Sequence, residues 1–192
     1  MTLLGGFAVA VDGAPVPESA WRLRKARELV KLLALAPGHR LHREQAMEVL
    51  WPDRDPAAAA NNLHQAVHVA RRALDPDAIE LRDEVLTLHA EIDVDAFELA
   101  ADRARRLRLP AAYRGALAAY DGELLPENRY DDWAEDRRDE LASLADLLAA
   151  ELDELGAQHS DRPFSVPVDA SSFVGRDREL ASTGTELSLI HI

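Results

Sequence analysis

Between Pro56 and Leu74 the apolar side chains recur every three or four positions, and this spacing constrains the fold more than any other feature of the chain. At about 100° per residue, Leu63, Ala66, Val67, Ala70 and Leu74 gather into one stripe. Asn61, Gln65, His68 and Arg72 lie opposite, flanked by His64 and Arg71. Asp55 before Pro56 supplies a capping side chain followed by a proline suited to the first helical position. The segment is therefore predicted to be a helix whose apolar face must be covered by other elements. Its outward face offers amide, imidazole and guanidinium groups and no carboxylate, in a chain with 35 acidic and 22 basic side chains.

The flanking segments supply the cover. Leu3 to Val11 reads as a strand, Asp12-Gly13 as a tight hairpin turn, and Ala14 to Pro17 as a short edge strand, because proline cannot donate to a ladder. From Trp21 to Pro37 a helical period places Ala26, Leu29, Val30 and Leu33 on one face, with Glu28 and Lys31 elsewhere. A short helix from about His42 to Leu50 turns Ala46, Val49 and Leu50 inward and is closed by Trp51-Pro52-Asp53. Beyond the long helix, Ile79–Leu81 and Val85–Leu88 form a hairpin around Arg82-Asp83-Glu84. Strand hairpin, three helices and strand hairpin make a winged helix-turn-helix plan over residues 1–90. Residues 91–156 continue as helices over Asp93–Arg108 (Val94, Phe97, Ala101, Ala104 and Leu107 inward), Ala111–Tyr120 and Tyr130–Leu155. The predicted class is mainly α with small β-hairpins, and residues 157–192 begin with a linker rich in Ser, Pro and Asp.

Charge and composition narrow the chemistry. Residues 1–90 hold 11 basic and 12 acidic side chains, residues 91–192 hold 11 and 23. Trp21 to Leu74 alone carries ten basic against five acidic groups and four of the seven histidines. Charge blocks of this kind steer association, and the basic block falls on the three-helix segment. The chain has no cysteine, which removes thiolate catalysis and cysteine-ligated metal sites. No apolar run reaches the roughly 20 residues of a membrane helix, and a cytoplasmic location is expected. His64 and His68 have metal-ligand spacing, but Gln65 stands where a metalloprotease motif needs Glu. Asp93 with Asp95, and Asp131, Asp132, Glu135 and Asp136, read as capping or solvated carboxylates rather than acid–base pairs. No metal, no cofactor and no enzymatic activity are expected.

The stretches LLGGFAVAVDG, RLRKARELVKLLALAPGHRLHREQAMEVLWPD, AAAANNLHQAVHVARRAL, IDVDAFE and AYRGALAAYDGELLPENRYDDWAEDRRDEL together resemble the SARP-type antibiotic regulatory proteins. Those proteins join an OmpR-type winged-helix DNA-binding domain to a bacterial transcriptional activator domain of tetratricopeptide-like helices. The resemblance runs from Leu3 to about Leu155. Two departures stand out: the activator domain is shortened to residues 91–156, and SSFVGRDREL resembles the start of the ATPase domain of larger family members. No phosphate-binding loop follows that segment, so a fragment of a larger ATPase-containing regulator is expected, without nucleotide binding.

Helix phase and resemblance together give the candidate site. Asn61, Gln65, His68 and Arg72 are expected to read base edges in the major groove of double-stranded DNA. Arg22, Arg24, Lys25, Arg40, Arg43, His64, Arg71 and Arg82 are candidates for phosphate contacts, which fix register rather than sequence. The resemblance further implies that Trp51, Asp53, Arg54 and Asp55 form a loop touching RNA polymerase. It also implies a homodimer that binds direct repeats near a promoter and activates transcription. The alternatives are a protein-interaction module of helical repeats and a regulatory fragment of a nucleotide-driven signalling ATPase.

Overall fold

A computed structural model describes residues 1–160, with side chains through Ala157, so the linker and ATPase-like segment from residue 161 onward lie outside the described residues. Met1–Asp161 form one compact unit. Its first half opens with β1 (Ala10–Val11) and β2 (Ala14–Pro15), joined by Asp12 and Gly13 at φ 51° and 79°. Both residues of such a two-residue turn need positive φ. The strand predicted over Leu3–Val11 is thus only two residues long within the hairpin. Gly5 and Gly6, at φ 75° and 140°, divert the chain before it, and Leu4 bridges to Leu124 instead. The Gly5 N–H donates to the Glu123 carbonyl and the Leu125 N–H to the Leu3 carbonyl, each at 2.9 Å. A Cβ on Gly5 would stand 2.8 Å from the Asp121 carbonyl oxygen, so this approach requires glycine.

Helices α1 (Arg24–Leu35), α2 (Arg43–Leu50) and α3 (Pro56–Ala73) pack around a common core. Ala26, Leu29, Val30, Leu33, Ala46, Leu50, Leu63, Ala66, Val67 and Ala70 are buried, as their periods predict. Val49 is not: it is 38% exposed, because eight residues of α2 bury little more than one ridge. Glu28 and Lys31, expected to face outward, are buried at 5% and 0% exposure, since the second half of the chain covers that side of α1. The wing is a three-stranded antiparallel sheet in the order β3-β5-β4, built from β3 (Arg40–His42), β4 (Ile79–Arg82) and β5 (Val85–Leu88). Asp83 and Glu84, at φ 49° and 66°, close its hairpin. β3 escapes sequence reading because three residues are too few to display alternation.

The second half comprises α4 (Asp93–Leu107), α5 (Pro110–Ala119) and α6 (Glu135–Ser160). Val94, Phe97, Ala101 and Ala104 of α4 are buried with Tyr113, Ala116, Leu141 and Leu148. Leu107, at the last turn of α4, is 44% exposed rather than inward. Short helical turns at Pro126–Asn128 and Asp132–Ala134 precede α6, which begins five residues later than predicted and leaves Tyr130 94% exposed. Leu148 of α6 is fully buried, Leu144 and Leu152 are half-buried, and Leu147 is 43% exposed. Among the described residues no helix is long and apolar enough to cross a membrane.

At the junction of the halves, the Asp93 carboxylate accepts hydrogen bonds from the backbone N–H groups of Leu3, Leu4 and Val94, all at 2.9 Å. Asp93→Ala is expected to cost about 1–3 kcal/mol, as for buried donors left unpaired. Leu63→Ala, which leaves a cavity between α3 and α1, should cost about 2–5 kcal/mol. Urea unfolding at neutral pH measures both, and an unchanged midpoint for Leu63→Ala would overturn the phase assigned to α3.

Candidate nucleic-acid interface

The long helix α3 is held from behind by α1 and α2, so its opposite face is presented to solvent. The Asp55 carboxylate accepts the Ala58 N–H at 2.9 Å and caps the helix start, with Pro56 at the first position. Asn61, His64, Gln65, His68 and Arg72 are all exposed. Among the described residues none of these five side chains is hydrogen-bonded or ion-paired. The 18 residues of α3 contain no carboxylate, leaving its surface donors and acceptors uncommitted.

Arg71 is placed differently. It is half-buried and its Nε donates to the Ile79 carbonyl at 2.8 Å, which ties α3 to β4. Arg72 and Arg22 line one cleft of about 230 Å³ together with Ser19 and Val69, at the C-terminal end of α3. Two guanidinium groups that sequence reading assigned separately, one to bases and one to phosphates, thus converge on the same opening. Arg24 is exposed and Lys25 half-buried at the start of α1, whereas Arg22 lies before the helix.

On the wing side, Arg40 of β3 and Arg82 of β4 line a cleft of about 410 Å³ with Glu80 and Asp83. Arg82 is 80% exposed at the tip, its Nε 3.6 Å from the Asp83 carboxylate. Arg43 is turned back onto the wing, pairing with the Glu84 carboxylate at 3.0 Å while its N–H donates to the Glu84 carbonyl. His42 caps α2: its Nδ1 accepts the Glu44 N–H and the Gln45 side chain accepts the His42 N–H, each at 3.3 Å. Between α2 and α3, Trp51 is half-buried and Asp53, Arg54 and Asp55 are exposed. Among the described residues no three His, Asp or Glu side chains gather as a metal ion would require.

Sequence reading missed the groups that fix this face relative to the helical half. The Lys31 ammonium, fully enclosed on α1, contacts Asn128 Oδ1, the Glu127 carboxylate at 3.0 Å and the Glu28 carboxylate at 3.5 Å, with the Phe7 ring centroid 5.1 Å away. Asn128 in turn donates to Glu28 at 2.7 Å and Asp131 at 2.6 Å, and its carbonyl accepts from Arg138 at 3.0 Å. The one available signal was compositional. Lys25 and Lys31 are the only lysines among 22 basic residues, and a compact ammonium fits an enclosed site that a planar guanidinium would not. Burial alone would raise the Glu127 carboxyl, but hydrogen bonds from its own backbone, Lys31 and Phe7, with the Lys31 charge, hold it below its ordinary 4.5.

No protein-family model matches this chain, and no curated protein does. Among solved structures, Mycobacterium tuberculosis EmbR, in complex with a low-affinity phosphopeptide, is similar at a TM-score of 0.68 and 19% identity. The likeness covers 83% of this chain and 45% of EmbR, so this chain spans less than half the length of that structure. It shows the fold, an N-terminal winged helix-turn-helix followed by a helical domain.

The Glu127 shift has a consequence for stability. A carboxyl held low in the folded state stabilises it above the unfolded value, and this contribution disappears as pH falls through the folded value. In Lys31→Met, the Glu127 carboxylate would lose both the hydrogen bond and the charge of its cation, a penalty that protonation of Glu127 relieves. The stability gap between parent and Lys31→Met is therefore expected to be widest near neutrality and to narrow below about pH 4.5. Urea titrations at a series of pH values check this; a gap that widens on acidification would contradict the network.

Proposed function

We propose that this protein is a sequence-specific DNA-binding transcriptional regulator without enzymatic activity, acting in the cytoplasm. The observation that carries the reading is the exposed, carboxylate-free face of α3, with Asn61, Gln65, His68 and Arg72 unpaired on a chain of net charge −13. A winged helix-turn-helix places such a helix in the major groove, where amide and guanidinium groups pair with adenine and guanine edges. Arg24 and Lys25 at the start of α1 and Arg22 just before it, with Arg40 and Arg82 on the wing, supply the phosphate contacts on either side. Arg43 and Arg71 serve mainly to hold the wing and β4 in place.

The resemblance to SARP-type regulators extends the proposal. The protein activates transcription by binding direct repeats near a promoter as a homodimer. The Trp51–Asp55 loop then meets RNA polymerase, while the tetratricopeptide-like helical half supports regulation. Selection of binding sites from random duplexes with the full chain tests the reading. Affinity for the selected sequence should fall steeply with salt, as counterions released from phosphates demand. Absence of any salt-dependent binding would overturn it.

On the selected sequence, Gln65→Ala and Arg72→Ala should each weaken binding by about 1–3 kcal/mol and leave binding to random DNA nearly unchanged. Arg24→Ala should weaken both alike and reduce the salt slope by about 1. Gel-shift titrations at several salt concentrations separate these outcomes. Equal losses for Arg72→Ala on both DNAs would assign it, with Arg22, to a phosphate.

A further inference from the structure

His64, His68 and Arg72 follow one another at four-residue intervals on α3, so their side chains form a row within about 80° of the helix surface. All three are exposed. The two imidazoles differ from the other histidines of the described region. His39 sets Nε2 2.9 Å from the Asp95 carboxylate and Nδ1 3.0 Å from the Ala34 carbonyl. His42 accepts the Glu44 N–H through Nδ1, which also lies 3.9 Å from the Glu44 carboxylate. His89 stands 3.7 Å from the Glu80 carboxylate. Among the described residues no carboxylate lies within ion-pairing distance of His64 or His68. The charged groups that neighbouring elements bring to α3 stand elsewhere along it. Arg22, just before α1, opens on Arg72. Glu44 and Glu48 of α2 line a groove with Pro56 and Ala59 near the helix start, where Asp55 caps the helix. Glu80 of β4 lines a cleft with Arg71.

We propose that DNA binding through α3 is coupled to proton uptake at His64 and His68, so that the protein holds double-stranded DNA more tightly as the solution becomes more acidic. Imidazole is the side chain whose charge changes between about pH 5 and pH 8. His39, His42 and His89 already face carboxylates within their own chain, so DNA offers them no first counter-charge. His64 and His68 have none until phosphates supply it. The dense negative charge of a duplex favours the protonated ring at both positions. Linkage fixes the sign: if binding DNA promotes proton uptake, adding protons promotes DNA binding by the same factor. Two imidazolium groups in line with Arg72 turn a row with one cation into a row of three. The inference rests on the DNA-binding reading and adds to it a control by proton concentration.

Fluorescence-anisotropy titration of the full chain against a labelled duplex of random sequence, at several pH values and salt concentrations, tests the inference. Affinity of the parent should rise at least about tenfold from about pH 8 to about pH 6, and its salt slope should steepen by about 1 to 2 as cations are added. His64→Gln with His68→Gln should change affinity by less than about twofold over the same interval. His64→Lys with His68→Lys, whose charges are fixed, should be equally insensitive to pH. At about pH 8 it should bind at least as tightly as the parent does at about pH 6. Both positions are exposed, so circular dichroism of each variant should match the parent. Parent affinity that stays flat with pH, or a pH dependence that survives both double variants, overturns the inference and leaves the DNA-binding reading intact. Absence of DNA binding at every pH and salt concentration overturns both.

Discussion

An ammonium group cut off from water cannot stay charged without carboxylates and carbonyls around it, and the Lys31 site supplies them from both halves of the chain. Glu28 comes from the same helix, Glu127 and Asn128 from the turn before α6. Such an enclosed ionic cluster adds little net stability over a well-packed apolar core, because desolvation offsets much of the attraction. Its consequence is geometric: any displacement of the 126–131 turn from α1 strands a charge. Asp93 and the Gly5 approach to the 121–123 turn act in the same sense, joining backbone from opposite ends of the described region. Helix α3, whose rear face rests on α1, therefore inherits a fixed placement relative to the acidic helices.

This fixed placement matters electrostatically. The helical half is strongly acidic, and on the DNA-binding reading proposed above phosphate repulsion would oppose any arrangement that let those helices swing toward DNA. Three carboxylates of the three-helix half are engaged internally: Asp55 caps α3, Glu84 holds Arg43, and Glu28 holds Lys31. The helical half is clamped on the side of α1 that bears Glu28 and Lys31, one turn beyond the exposed Arg24 on the same side.

How much of this was legible in the sequence depended on length and on whether a face had one neighbour or two. α3 was read correctly because 18 residues repeat one amphipathic stripe five times over, and Asp55-Pro56 marks its start without ambiguity. α1 was read only in part, because periodicity separates apolar from polar but cannot tell a solvated polar face from one buried against a second polar surface. Glu28 and Lys31 look like solvated residues until Asn128, a hundred positions away, is set against them. The same limit hid the Leu3–Leu4 pairing, which depends on Leu124 and Leu125 rather than on local alternation. Val49 and Leu107 were misplaced because they sit in terminal helical turns, where a residue in phase with the core has nothing beyond it to pack against.

The candidate site shows the complementary limit. Which residues α3 exposes followed from phase alone, yet which of them are free to bind did not. Arg71 and Arg72 are adjacent in sequence and carry identical side chains, but one is committed to the Ile79 carbonyl and the other opens beside Arg22. A step of about 100° along the helix decides between a structural hydrogen bond and an available guanidinium. That difference arises from the position of β4, an element formed after α3 in the chain and held in register by β5. The surface that α3 exposes is therefore a property of the wing as much as of the helix. Shifting β4 by one residue would carry the Ile79 carbonyl away from Arg71, releasing its guanidinium toward solvent and altering the charge that α3 exposes.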